Sequence, residues 1–121
     1  MTRCSLNLFL LIAISVFYSY CTYDHTLPVC GADQNRSISY RSDVMPILAA
    51  QCLQCHDTKS RSGGVVLDTY EKVKLYADAG ELYNTVSYAA GYLPMMPKGG
   101  KLSDCDILII KKWAEEKSPD N

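Results

Sequence analysis

Cys52-Leu53-Gln54-Cys55-His56 is the stretch around which this chain of 121 residues is organised. Two thiols three positions apart lie about one helical turn from each other, so both can reach the same edge of a bound porphyrin. The pattern C-x-x-C-H is typical of c-type haem attachment, and its histidine supplies one axial nitrogen to the iron. The motif therefore predicts a haem c bound covalently to Cys52 and Cys55, with His56 as an axial iron ligand.

Two other kinds of site use cysteines at this spacing. Half of a zinc site would need a second C-x-x-C pair or a pair of histidines to complete four ligands, and the sequence provides neither. A thioredoxin-like redox pair would accompany a βαβ pattern, which is also missing. The haem interpretation is therefore favoured over both.

The N-terminus predicts export. Arg3 gives a short positive start, and residues 6–17 form a nearly unbroken apolar run. This run is too short to cross a bilayer comfortably but suits the core of a signal peptide, which we place at residues 1–20. A buried amphipathic helix is the alternative, and the run lacks the polar periodicity that such a helix needs. A formal net charge of -1 gives no indication of a nucleic-acid partner.

The cysteines outside the motif are Cys4, Cys21, Cys30 and Cys105. Cys4 leaves with the signal peptide, so an odd number of thiols remains in an oxidising compartment. Cys21 follows the apolar core, where a bacterial lipoprotein carries its acylated cysteine, and it is the predicted lipid anchor to an envelope membrane. Tyr20 is larger than the residue usual before such a cysteine. Cleavage after Ser19, which would leave a free thiol, is therefore the alternative.

A tether and one small all-α domain are predicted after the signal peptide. Residues 21–38 are polar, contain Pro28 and show no periodicity, so we interpret them as a tether in which His25 is solvated. Residues 39–118 form the domain. Ser42 is the predicted cap of a helix that runs into the motif. Further helices are predicted from Asp68 or Thr69 to about residue 79, from 81 to 88, and from Ser103 to about 117.

The loop at residues 89–101 contains two candidate ligands. Its three glycines and two prolines exclude a regular helix, and it carries Met95 and Met96. A methionine in such a loop can be flexible core filler. With a c-type haem upstream, a methionine on the far side of the iron would complete a low-spin electron-transfer site. The pattern alone does not choose between the two methionines.

Beyond the motif, three runs carry a resemblance to a known family. They are G-G-V-V-L-D-T-Y-E-K-V-K at residues 63–74, M-P-K-G-G-K-L-S-D-C-D-I at 96–107 and I-K-K-W at 110–113. Together with C-x-x-C-H they resemble the class I mono-haem cytochromes c, and more narrowly the small exported lipoprotein cytochromes c of Gram-negative bacteria. The resemblance spans roughly residues 39–117.

The resemblance implies a function and a set of ligands. It implies a small cytochrome c fold, with the N- and C-terminal helices packed around a covalently bound haem, and short helices and loops between them. It implies His56 and Met96 as axial ligands, with Met95 as the second choice. The implied function is transfer of single electrons between redox partner proteins by a monomeric carrier that is not an enzyme. The alternative is a peroxidase-like or a gas- or redox-sensing module with a displaceable methionine.

The resemblance also bears on the last two cysteines. In that family the first and last helices cross, so the segment before the first helix can lie near the start of the last. Once the other cysteines are assigned, Cys30 and Cys105 remain, and export favours their oxidation. We therefore expect a disulfide between Cys30 and Cys105. Two buried free thiols are the alternative.

Overall fold

The computed structural model describes Cys30 and residues 36–121, and this part of the chain is all-α, as predicted. A π-helical turn, Tyr40–Val44, leads directly into helix α1, Met45–Gln51, and helix α2, Leu53–His56, follows after Cys52. A short 3-10 turn at Ser62–Gly64 precedes helix α3, Tyr70–Asp78, helix α4, Glu81–Ser87, and helix α5, Asp104–Glu115. The described residues contain no β-strand.

Several predictions fall outside the described residues. They concern the signal peptide at residues 1–20, the lipid on Cys21, His25 and most of the tether at 21–38. In the part of the chain that the structure describes, no helix has both the length and the apolar character that crossing a membrane requires.

The first helical turn begins earlier than predicted. Ser39, and not Ser42, is the capping residue, and its hydroxyl accepts a hydrogen bond from the Ser42 N–H. The Asp43 carboxylate accepts the Ser39 N–H at 2.8 Å. Its hydrogen bond from Arg36 holds the pKa of Asp43 below the usual value. The cap and its carboxylate are four residues apart rather than the usual three, because the π-helical turn contains an extra residue.

Aromatic side chains join the first turn to α3 and α5. The ring of Tyr40 lies 5.1 Å from that of Tyr70, edge to face, and 5.4 Å from that of Trp113. Trp113 is fully buried and donates its indole N–H to the Pro119 carbonyl at 3.0 Å. Tyr70 donates its hydroxyl to the Ser118 carbonyl at 2.8 Å. This packing holds the first helical turn against α3 and the last helix.

A disulfide joins Cys30 to Cys105, with their Cα atoms 5.4 Å apart. This is the pair that remained after the other cysteines had been assigned. Cys105 is the second residue of α5, which begins after Ser103. The Ser103 hydroxyl accepts the Asp106 N–H, as the predicted cap requires, and donates to the Asp106 carboxylate. The disulfide thus attaches the segment before the domain to the start of its last helix.

Candidate functional site

The motif residues lie at a break between two helices. Cys52 follows α1 with its N–H still bonded to the Leu48 carbonyl at 2.8 Å. Its own φ of -118° departs from helical geometry, so α2 starts in a new direction. The Cys52 carbonyl then accepts the N–H groups of Cys55 and His56 at 3.1 and 3.0 Å. This short turn places Cys52 in the core, Cys55 at the surface and His56 half-buried between them.

Two adjoining cavities of about 290 and 320 Å³ lie against this turn. Their size is close to that of sites for small molecules and cofactors, roughly 300–1,000 Å³. Both cavities are lined by Cys52, His56, Val86, Pro94 and Met96. Cys55 lines the larger one, together with Lys98. The three chemically significant residues of the motif therefore face the same space.

The structure separates the two candidate methionines. Met96 is half-buried and lines both cavities, as His56 does. Met95 is 41% exposed and lines neither cavity. Imidazole with thioether is a known pair of haem ligands. Of the two methionines, only Met96 is placed to act on a group bound there.

The imidazole of His56 makes no hydrogen bond to the described residues, and its Nδ1 atom is buried without a partner. The backbone holds the residue instead, because the His56 carbonyl accepts the Leu67 N–H at 2.7 Å. Buried polar atoms are rarely left unpaired, so the ring has spare bonding capacity. A metal-bound histidine usually donates its second N–H to a protein acceptor. The described residues provide no such acceptor for the Nδ1 atom of His56.

The remaining wall of the smaller cavity is mostly apolar. Its further lining residues are Val65, Leu67, Tyr76, Glu81, Leu82, Thr85, Tyr92 and Leu93. The sequence did not single out Tyr76, Thr85 and Tyr92, because no pattern distinguishes a half-buried residue on a cavity from one on the surface.

The thiols of the motif are not joined to each other, and Cys52 is buried. Burial raises the pKa of the Cys52 thiol to about 11. Redox pairs of the thioredoxin type depend on a lowered thiol pKa, so this environment does not favour that function. Within residues 36–121 and at Cys30, no three side chains of His, Cys, Asp or Glu come together as a metal cluster.

Comparison with known proteins gave no match to this chain, whether with protein-family models, with curated proteins or with solved structures. The function proposed below therefore depends on the residues and their geometry.

Proposed function

We propose that this protein is an exported electron carrier that holds one covalent haem c, with His56 and Met96 as the axial ligands. One observation carries the proposal. The histidine of a C-x-x-C-H motif and one methionine of a distant loop, forty positions later, line the same two cavities together with Cys52. A zinc site or a dithiol redox pair would have no use for that methionine.

The roles of the chain's own residues follow from their placement. Cys52, in the core, and Cys55, at the surface, would anchor the two vinyl positions of the porphyrin. His56 and Met96 would occupy both axial positions, which leaves no position for oxygen or a substrate. Buried side chains such as Leu67, Leu82 and Val86 would exclude water. When bound, the haem iron supplies a one-electron couple, and a thioether ligand raises its reduction potential relative to two histidines.

The finer fold and the cellular setting belong to the same proposal. The contact of Tyr40 with Trp113 joins the first and last helical elements, and this supports the small cytochrome c fold that the resemblance implies. A signal peptide and a lipid on Cys21 would hold the domain at an envelope membrane. The protein would then act as a monomer between donor and acceptor proteins.

A second candidate function, a gas or peroxide site opened by release of Met96, has one observation in its favour. The methionine loop is exposed, with Leu93 81% and Met95 41% accessible. A gas or peroxide site requires Met96 to leave the iron readily. An electron carrier requires Met96 to stay bound to the iron.

A carbon monoxide titration of the reduced protein separates the two functions. We expect saturating carbon monoxide to leave the absorption spectrum almost unchanged, because both axial positions are filled by protein ligands. The Met96→Ala variant is the positive control and should bind the gas at once. Rapid, complete binding by the wild-type protein would instead favour the sensing or peroxidase-like function.

A further inference from the structure

Tyr88 ends helix α4 in an unusual conformation. Its φ and ψ of 60° and 42° lie in the left-handed region, where helix ends normally carry glycine or asparagine. A tyrosine there is strained, because its Cβ crowds the backbone. Such strain persists where the surrounding structure holds the residue in place, and it is often found beside functional sites. Other interactions must therefore offset the backbone strain at Tyr88, and its side chain makes one of them.

The side chain of Tyr88 reaches the methionine loop. Its hydroxyl donates a hydrogen bond of 2.7 Å to the carbonyl of Pro97, in a partly buried setting. One turn earlier on the same helix, the Thr85 carbonyl accepts the Met96 N–H at 3.2 Å. Among the described residues, these are the two hydrogen bonds that tie residues 90–98 to a helix. They fall on Met96 itself and on the residue that follows it.

We propose that Tyr88 is the positioning residue that keeps Met96 at the cavities and thereby controls how often the sixth iron position opens. The inference rests on the proposed function, since it assigns a role at the same site. Tyr88 lines neither cavity, so it acts through the backbone of Pro97 and not on the bound group. The left-handed conformation at the end of α4 directs the phenol toward the methionine loop, and the hydroxyl then fixes the loop through its hydrogen bond to the Pro97 carbonyl.

Cyanide binding to the oxidised protein tests this role, because an external ligand can bind only when Met96 has left. Tyr88→Phe removes the hydroxyl alone. We expect the binding rate to rise about fivefold, the factor that corresponds to one hydrogen bond of ~1 kcal/mol. Loss of the sulfur-to-iron charge-transfer band on raising the pH should also begin at a lower pH. Tyr83→Phe is the matched control, because Tyr83 lies on the same helix and its hydroxyl makes no hydrogen bond to the described residues.

Tyr88→Gly separates positioning from helix termination. Glycine adopts the left-handed conformation without strain, so the fold should keep its thermal stability or gain some, while the binding rate rises as in Tyr88→Phe. The proposal is overturned if Tyr88→Phe binds cyanide at the wild-type rate. It is equally overturned if Tyr88→Gly binds cyanide at the wild-type rate, or if Tyr83→Phe raises the binding rate as much as Tyr88→Phe does. A wild-type protein with covalent haem but no charge-transfer band would overturn the Met96 ligation itself, and this role with it.

Discussion

Replacement of Met96 by alanine is expected to abolish the sulfur-to-iron charge-transfer band of the oxidised protein and to lower its reduction potential. A neutral thioether disfavours the extra positive charge of oxidised iron, so its removal stabilises the oxidised state. Axial ligands set haem potentials over a range of ≈ 0.8 V, and we expect a fall on the order of 0.1 V. Visible absorption spectroscopy and a spectroelectrochemical titration measure the two effects.

Met95→Ala is the matched control, since it removes an identical side chain from the neighbouring position. It should keep both the band and the potential, because Met95 is exposed and lines neither cavity. The opposite pattern, with the band lost only in Met95→Ala, would transfer the ligand assignment to Met95. Retention of the band in both variants would show that each methionine can bind the iron when the other is absent.

The second large effect concerns the disulfide. Replacing Cys30 and Cys105 together with serine is expected to lower the free energy of unfolding by roughly 2–4 kcal/mol. The bond closes a loop with a sequence separation of 75 residues, and its removal restores the conformational freedom of the unfolded chain. Such a loss is a large share of the ~5–15 kcal/mol that stabilises an ordinary domain. Denaturant unfolding followed by far-ultraviolet circular dichroism measures it.

A reductant provides the control for this double variant. Reduction should destabilise the wild-type protein by a similar amount and leave the variant unchanged, because only the wild type has a bond to lose. Alkylation of the unreduced, denatured wild type should label neither Cys30 nor Cys105. Full labelling of both cysteines would show that the bond does not form.

Local features of the chain could be predicted from the sequence. The spacing of Cys52, Cys55 and His56 is a local property, and a short helical turn reproduces it without help from the rest of the fold. The cap at Ser103 is similarly local and occurs as predicted, and the helix predicted to end at about residue 79 ends at Asp78. The first cap was placed wrongly at Ser42, three residues late, because Ser39 also has a capping side chain and the helical turn begins at Tyr40.

Features that depend on tertiary packing could not be predicted in the same way. Met95 and Met96 are equivalent in sequence, and only the path of the loop places one of them at the cavities. Two hydrogen bonds tie that loop to the end of α4: the Thr85 carbonyl accepts the Met96 N–H, and the Tyr88 hydroxyl donates to the Pro97 carbonyl. A tyrosine in a left-handed helix end has no sequence signature. The pairing of Cys30 with Cys105 required the resemblance to a known family as well as a count of thiols.

The most direct test of the central claim is the attachment of haem to the motif. The protein is produced with its signal peptide in a bacterial host that matures c-type cytochromes, and the purified product is treated with acidified acetone. We expect the haem to stay with the protein, and the peptide that contains Cys52 and Cys55 to carry its added mass in tandem mass spectrometry. Haem that passes into the acetone, or a motif peptide of unmodified mass from a fully matured preparation, would contradict the account.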